Sequence, residues 1–250
     1  MKSGVEMGSI KDFKSGAENG IPICLGYLAV SFAFGIQASE AGLSVFQAVM
    51  MSLMNVTSAG QFSSLDLIVH QASFAEMALL QFVVNMRYLL MSCALTQKLG
   101  PSVPTGHRLG IAYGVTDEIF GVSVLHKGEL HPAFSYGLIV VSVSGWLLGT
   151  FLGAAAGQIM PQRLISCLGL AIYGMFLAII IPEARAKRQV LFTVLAAMLM
   201  SAVFTWAPVL KMISSGFRII IVTVAVAAAA AVLVPVEATS TEVQEAAYCL

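Results

Sequence analysis

The sequence contains few charged residues. Of its 250 residues, 10% are Asp, Glu, Lys or Arg, against about 25% in an average soluble domain. A soluble chain this poor in charge could not cover its surface with groups that water solvates well. The formal net charge is zero, so no overall basic field favours nucleic acid. The shortage of charge therefore argues against both a soluble domain and a nucleic-acid-binding one.

Cysteine and histidine are also scarce, and neither follows a pattern that chemistry requires. The four cysteines are far apart and lack metal-ligand spacing: Cys24, Cys93, Cys167 and Cys249. The four histidines fall in predicted loops: His70, His107, His126 and His131. A membrane-embedded enzyme would need a nucleophile and a base on facing helices, or a set of metal ligands. The sequence therefore predicts that the protein is not an enzyme and has no metal or other cofactor.

Hydrophobic residues make up 58% of the chain and are gathered in long runs. A membrane-spanning helix needs about 20 mostly apolar residues. Eight segments can be drawn, at about 21–38, 45–69, 74–96, 109–125, 134–159, 164–181, 190–210 and 217–234. Polar residues interrupt the second, and the fourth barely reaches spanning length, so it could cross or re-enter from one side. The predicted fold class is an all-α integral membrane protein with seven or eight transmembrane helices, a polar break in the second and a short or re-entrant fourth.

One polytopic transmembrane domain is expected over residues 1–236, beginning with a cytoplasmic segment over 1–20 and followed by a mobile acidic tail over 237–250. No cleavable signal peptide is evident, and Pro22 is expected in the first turn of the first helix. Lys and Arg are enriched in cytoplasmic loops. With eight crossings and the N-terminus inside, the inner side holds seven of these residues and the outer side five. If the fourth segment re-enters, the two sides become equal, so the rule favours eight crossings only weakly.

Two patterns of small residues bear on helix packing. Gly145, Gly149, Gly153 and Gly157 recur every four residues in the fifth segment, which predicts that another helix packs closely against it. The stretch Gly26-Tyr27-Leu28 loosely resembles Gly145-Trp146-Leu147 in the same chain. Transporters are often built from internal repeats, so this likeness leaves a duplicated architecture open.

Three ionisable residues lie inside apolar segments. Arg87 is about ten residues from either end of the third segment, and Asp117 and Glu118 lie in the middle of the fourth. Such groups are costly in a bilayer and need a partner or a water-filled cavity. One reading is that Arg87 and an acid form a buried pair that fixes helix packing. The other is that they line a substrate or proton path, with Asp117 and Glu118 as proton-coupling residues.

The polar break in the second segment is the other candidate site. A discontinuous helix near the midplane is a common place for a transporter to bind its substrate. Small residues can instead serve a tight helix–helix contact, and the sequence does not separate the two uses. The predicted substrate-binding residues are Asn55, Thr57, Ser58, Ala59, Gly60 and Gln61 from the break, with Asn85 and Arg87 from the third segment.

Five short motifs resemble the AzlC-type family of branched-chain amino-acid exporter large subunits. They are Gly20-Ile21-Pro22 through Phe32-Ala33-Phe34-Gly35, Gly42-Leu43-Ser44, Ser58-Ala59-Gly60-Gln61-Phe62, Asn85-Met86-Arg87-Tyr88 and Thr116-Asp117-Glu118-Ile119-Phe120. Their order and spacing agree with the family over residues 20–157. Beyond residue 157 only the hydropathy agrees.

The resemblance implies export of valine, leucine and isoleucine, with methionine as a further substrate, across a bacterial inner membrane, coupled to the proton-motive force. It also implies a small AzlD-type membrane subunit as partner. Many family members have His after the motif Arg, where this chain has Tyr88. If that His moves protons elsewhere, Asp117, Glu118 or a water chain would do so here. The alternative function is a non-transporting structural or assembly subunit of a membrane complex.

Overall fold

The computed structural model describes residues 2–157, 184–207 and 213–233, together with 161, 177 and 180–182. Nine helices have both ends within this part of the chain: α1 (Lys2–Glu40), α2 (Val45–Met54), α3 (Ser58–Val69), α4 (Phe74–Lys98), α5 (Thr105–Tyr113), α6 (Asp117–Leu125), α7 (Pro132–Gly157), α8 (Arg188–Trp206) and α9 (Ser215–Leu233). The only β-structure in the same residues is an isolated bridge between Leu99 and Leu130, so the all-α class is confirmed.

Five of these nine helices are long and apolar enough to cross a membrane, namely α1, α4, α7, α8 and α9. The predicted sixth segment, at 164–181, and the acidic tail lie almost wholly outside the described residues. The first helix begins far earlier than its apolar run, so Pro22 lies inside α1 and not in a first turn. Polar residues before Pro22 continue the helix, and helices in membranes tolerate an internal proline where their neighbours pack around it.

The pair formed by α1 and α7 is the centre of the bundle. Gly16 of α1 lies against Phe134 in the first turn of α7, and Gly35, towards the end of α1, lies against Thr150 further along α7. The two helices therefore run parallel. We call the end of the bundle where both begin the proximal end, and the opposite end the distal end.

The glycine ladder of α7 is what lets α1 approach so closely. Added Cβ atoms at Gly149 and Gly153 would collide with the carbonyl oxygens of Leu28 and Phe32. No side chain larger than hydrogen fits at these positions without moving a backbone. The close packing predicted from the ladder is confirmed, and its partner is α1.

The second predicted segment does not cross the bundle. Ser52 of α2 and Thr150 of α7 are joined by a 2.7 Å hydrogen bond, and α2 runs from the distal end towards the middle. The next helix, α3, turns back, because Leu65 joins a buried cluster with Phe34 and Ala38 towards the distal end of α1. Residues 45–69 therefore form a helical hairpin, called hairpin 1, with its tip at 55–57.

The predicted polar break is confirmed at this tip, and both ends of the segment lie towards the distal end of the bundle. The two arms have 10 and 12 residues, so each rises about 15–18 Å at 1.5 Å per residue. A bilayer core is about 30 Å thick, and apolar helices of this length are typical of re-entrant segments. The two apolar arms together are as long as a spanning helix, and hydropathy does not show that the chain reverses direction between them.

The fourth predicted segment is a second hairpin, and it enters from the other end. Arg108 of α5 donates to the carbonyl oxygens of Thr96 and Gly100, each at 2.7 Å, at the proximal end of α4. Lys98 donates to the carbonyl oxygen of His126, at 2.7 Å, where α6 ends. Both ends of the segment thus lie at the proximal end, and its tip is at 114–116. This arrangement favours re-entry of the segment over crossing, and we call residues 105–125 hairpin 2.

The tips of the two hairpins meet in the middle of the bundle. Val56 and Val115 belong to one buried apolar cluster, and the Tyr113 hydroxyl donates to the carbonyl of Leu53. Each tip contains Val-Thr, and the Thr is the residue before the returning helix in both cases. One unit is α1 followed by hairpin 1, and the other is α4, in the opposite direction, followed by hairpin 2. This is the arrangement of an inverted repeat, and it differs from the α1–α7 likeness seen in the sequence.

The last described helix packs on α4 from the distal end. Glu76 in the first turn of α4 is buried, at 6% exposure, and accepts a hydrogen bond from the Ser214 hydroxyl. Ile220 of α9 joins Leu67 and Leu80 in a buried cluster. The carboxylate lies beside the first turns of two helices, α4 and α9, where a negative charge is stabilised.

Candidate functional site

A cavity of about 680 Å³ lies where the two hairpin tips meet. It is lined by side chains from both hairpins and from the helices around them: Pro22, Ile23, Gly26, Tyr27, Val30, Val56, Ser58, Arg87, Tyr88, Thr116, Asp117, Glu118, Trp146 and Ile180. Charged and hydroxyl groups come mainly from α4 and the tip of hairpin 2, whereas α1 and Val56 supply most of the apolar wall. The cavity therefore has a polar side and an apolar side.

Arg87 forms an ion pair with Asp117 in the wall of this cavity. Its Nη1 atom lies 2.9 Å from the Asp117 Oδ2 atom, and the two side chains are 45% and 40% exposed. Its Nη2 atom also donates to the Tyr88 hydroxyl at 3.0 Å. The third and fourth predicted segments thus share one site, as the sequence predicts.

Both adjacent carboxylates reach this cavity because the helix that carries them begins there. Side chains one residue apart diverge by about 100° in a continuous helix, which would send Asp117 and Glu118 to different neighbours. Asp117 is instead the first residue of α6, and Thr116 before it has an extended backbone. Carboxylates in a first turn are stabilised by the helix dipole, so the tip of hairpin 2 suits both acids.

Tyr27 of α1 is hydrogen-bonded to two residues at the tip of hairpin 2. Its hydroxyl lies 2.5 Å from the Thr116 hydroxyl and 2.7 Å from the Glu118 Oε2 atom. A tyrosine hydroxyl has one proton to donate, so Tyr27 donates to the Glu118 carboxylate and accepts from Thr116. The ring of Tyr27 packs edge-on against Trp146, with 5.3 Å between centroids. Glu118 is therefore held by a neutral donor, whereas Asp117 is held by a cation.

The tip of hairpin 1 is held by a different set of groups, built around Gln81 of α4. The Gln81 Oε1 atom accepts from Asn55 at 3.3 Å and from Asn85 at 2.8 Å. The Gln81 side-chain amide donates to the carbonyl of Gly60 at 2.8 Å, and Thr57 donates to Asn55 at 2.8 Å. This network consists wholly of neutral amides and hydroxyls.

A second neutral network ties hairpin 1 to α7. Trp146 donates from its indole nitrogen to Gln61 at 2.9 Å, and Gln61 donates to Ser52 at 2.8 Å. Ser52 is bonded in turn to Thr150. Gln61, Ser52 and Thr150 are completely buried, so this network fixes hairpin 1 in the bundle.

The predicted site residues therefore separate into three groups. Ser58, Arg87, Asp117 and Glu118 line the cavity. Asn55, Thr57, Gly60 and Asn85 surround Gln81, and Gln61 faces α7. Ala59 lines neither the cavity nor a network. Asn85 and Arg87, about 200° apart on a regular helix, do face different neighbours, so α4 needs no irregularity.

Sequence reasoning missed Tyr27, Trp146 and Gln81. Tyr27 and Trp146 occupy matching places in the α1–α7 likeness, but neither is charged, so neither is conspicuous in an apolar segment. Gln81 is an uncharged polar residue in an apolar helix. The sequence points to a role for it only through the rule that a buried polar group needs a hydrogen-bond partner. A search for such residues four to six positions from Asn85 or Arg87 would have found it.

Comparisons with known proteins identify a family and several relatives for this chain. The family model described as AzlC protein matches residues 22–160, which span both hairpins and the cavity. An uncharacterized membrane protein of Archaeoglobus fulgidus is 31% identical over 177 residues, covering 70% of this chain and 77% of the relative. The inner membrane protein YgaZ of Escherichia coli is 24% identical over 188 residues, covering 72% of this chain and 77% of that protein. No solved structure matches the chain.

Proposed function

The chain belongs to the AzlC family, and from that premise we propose that it is a secondary transporter subunit that exports branched-chain amino acids. It is a membrane protein of a transport-related family, with a relative named as an inner membrane protein. The observation that supports a transport function most directly is the cavity between two oppositely oriented hairpin tips. Valine, leucine and isoleucine are the proposed substrates, with methionine as a further one, and the proton-motive force is the proposed energy source.

The cavity suits a small zwitterion with an aliphatic side chain. Its volume falls in the range of about 300–1,000 Å³ that is common for small-molecule sites. Ile23, Val30 and Val56 offer an apolar wall to the side chain. Asp117 and Glu118 offer partners to the ammonium group, and Arg87 offers one to the carboxylate.

The two returning helices differ in a way that favours one orientation of the substrate. Helix α3 has no acidic residue in its first turn and no side-chain cap from Thr57. Helix α6 carries both carboxylates in its first turn and is capped by Thr116. A substrate carboxylate is therefore favoured near Ser58 and Arg87, because the start of α3 keeps its uncompensated positive end. The ammonium group is favoured near the acids of α6.

The hairpins provide a simple physical basis for alternating access. Hairpin 1 enters from the distal end and hairpin 2 from the proximal end, so each tip separates the cavity from one side. Movement of one hairpin at a time would open the cavity to one side only, as in other transporters with inverted repeats. Asp117 and Glu118 are the proposed proton-coupling groups, because they lie in the wall of the cavity on the moving tip.

Valine efflux tests this function. Cells that lack other exporters are loaded with a valine-containing dipeptide, and expression of this chain with a small AzlD-type membrane partner should raise the rate of valine release. Lysine release from a lysine dipeptide should not rise, because the apolar wall offers no partner to a second ammonium group.

Efflux from proteoliposomes that hold the purified chain, with and without the small partner, tests the alternative of a non-transporting assembly subunit. Absence of valine, leucine and isoleucine transport in both preparations would contradict the proposed function.

The hairpins also change the orientation argument, and we propose that the proximal end faces the cytoplasm. Among described residues, the proximal end and the loops next to it hold nine cations: Lys2, Lys11, Lys14, Lys98, Arg108, Lys127, Arg185, Lys187 and Arg188. The distal end holds Arg218. The excess of Lys and Arg in cytoplasmic loops then favours a cytoplasmic N-terminus far more clearly than the sequence-based counts did.

Cysteine labelling from outside the cell should reveal both hairpins. In a background without native cysteines, Glu40→Cys and His70→Cys should both react with a membrane-impermeant maleimide in intact spheroplasts, because both flank hairpin 1 at the distal end. Ser102→Cys and Lys127→Cys flank hairpin 2 and should react only after the membrane is opened. A crossing second segment would instead protect His70→Cys while Glu40→Cys reacts, and that result would contradict re-entry.

A further inference from the structure

The two carboxylates at the tip of hairpin 2 have unequal partners. Asp117 is paired with Arg87 at 2.9 Å. Glu118 accepts a hydrogen bond from Tyr27, and no Lys, Arg or His of the described chain lies within 4.0 Å of its carboxylate. The two residues are adjacent, face the same cavity and share the first turn of α6. What distinguishes them is the charge of the group that each contacts.

We infer that Glu118 is the proton-carrying group of this site and that Tyr27 is its positioning residue. The inference rests on the proposed transport function and decides between two acids that the sequence could not separate. It assigns the proton to Glu118 and leaves Asp117 in its ion pair with Arg87.

Protonation has different consequences at the two acids. A proton on Asp117 would break its ion pair and leave Arg87 charged without its partner. A proton on Glu118 breaks no ion pair among the described residues. The Glu118 side chain is also exposed to the cavity, so water can deliver the proton to its carboxylate.

Tyr27 can hold Glu118 in both states. When Glu118 is charged, the Tyr27 hydroxyl donates to its carboxylate and accepts from the Thr116 hydroxyl. When Glu118 is protonated, its own hydroxyl can donate to the Tyr27 oxygen, and Tyr27 then donates to Thr116. The proton stays on Glu118, and only the direction of the hydrogen bonds changes. A change in the charge of Glu118 therefore changes the hydrogen bonding of Tyr27, whose ring packs against Trp146. Trp146 in turn donates a hydrogen bond to Gln61 of hairpin 1.

The other titratable groups around Glu118 are few. Tyr27 faces it from α1, Arg87 and Tyr88 face it from α4, and Asp117 precedes it on α6. Hairpin 1 contributes Val56 and Ser58, and α7 contributes Trp146, none of which titrates in the ordinary range. Of these groups, only Glu118 is a carboxylate bonded to the Tyr27 hydroxyl, and the ring of Tyr27 contacts Trp146, so we expect a pH response of Trp146 to come from Glu118.

Trp146 fluorescence tests the inference without any substrate. The chain has two tryptophans, so a Trp206→Phe background in nanodiscs leaves Trp146 as the reporter. Its emission should change with pH, and Glu118→Gln should remove that change, whereas Glu129→Gln, in the loop before α7, should leave it intact. A pH response that persists in Glu118→Gln, or the absence of a response in the reporter background, would overturn the inference.

Tyr27→Phe tests the positioning role in the same assay. Loss of the hydroxyl removes a donor to the charged form, so the midpoint of the titration should move to higher pH by about one unit. Tyr136→Phe is the matched control, because its hydroxyl contacts His107 at the proximal end and its midpoint should not move. An unmoved midpoint in Tyr27→Phe would show that the ring, and not the hydroxyl, is what matters.

Transport then separates the proton role from substrate binding. In everted membrane vesicles, Glu118→Gln should lose valine accumulation driven by an acid interior, whereas valine–valine exchange, which needs no net proton transfer, should fall by a much smaller factor. Equal loss of both would assign Glu118 to the substrate ammonium group, and retention of both would exclude it as the proton carrier. If wild-type vesicles transport no branched-chain amino acid, the proposed function fails, and the fluorescence titration still decides which acid binds the proton.

Discussion

Replacing Arg87 with alanine should abolish valine efflux, lowering its rate by about a hundredfold relative to wild type. Arg87 is the one cation among the described residues that line the cavity, so its loss leaves Asp117 unpaired and removes the partner for the substrate carboxylate. Truncating one member of a hydrogen-bonded charge pair away from water typically costs about 2–5 kcal/mol, and each 1.4 kcal/mol is about tenfold in rate or affinity. Release of valine from dipeptide-loaded cells, normalised to the amount of protein in the membrane, measures the effect.

Asp117→Asn should reduce efflux as well, because it leaves the Arg87 guanidinium without its anion. The exposed Arg185→Ala is the control for loss of a positive charge and should transport normally. Normal efflux in both Arg87→Ala and Asp117→Asn would show that the pair is not part of the transport site.

A double variant separates transport from packing. Hydrophobic replacements of both members of a buried ion pair often preserve stability, whereas removal of one member does not. Arg87→Leu combined with Asp117→Leu should therefore restore membrane abundance relative to the single variants but not efflux. Recovery of efflux in the double variant would mean that the pair serves helix packing alone.

Substituting Gly149 and Gly153 together with alanine should strongly destabilise the protein. Each added methyl group would meet a carbonyl oxygen of α1 at Leu28 or Phe32, and overpacking of this kind costs about 1–3 kcal/mol per site. The two sites lie on one rigid face of α7, so a single shift of α1 must relieve both collisions and disturbs the hairpins packed on this pair. Thermal melting in detergent and the amount of folded protein in the membrane measure the loss.

Gly121→Ala is the matched control. Gly121 lies inside α6, and an added Cβ meets no atom within 4 Å. Alanine is better than glycine inside a helix by about 0.5–1 kcal/mol, so this variant should be at least as stable as wild type. Replacing glycine with alanine should therefore lower stability at Gly149 and Gly153 but not at Gly121. An unchanged melting temperature in the Gly149 and Gly153 double variant would contradict the close packing of α1 on α7.

The sequence alone determined the class of the protein and the limits of most of its apolar segments. Shortage of charge and length of apolar runs are properties of the chain itself, so they predicted the all-helical fold, the break after Met54 and the close-packed glycine face of α7. They also marked Arg87, Asp117 and Glu118, because an ionisable residue in an apolar run is conspicuous without any structure.

Only the tertiary structure decided where each half-helix goes and which side chains meet. Hydropathy records how apolar a segment is and not whether its second half turns back, so residues 45–69 and 105–125 became hairpins only when their packing against α1, α4 and α7 was known. Gln81, Tyr27 and Trp146 gained their roles in the same way, since a polar or aromatic side chain acquires a function from its neighbours. The difference between Asp117 and Glu118 is the clearest case, because the two acids are adjacent in the sequence and only the structure shows that one contacts a cation and the other a neutral hydroxyl.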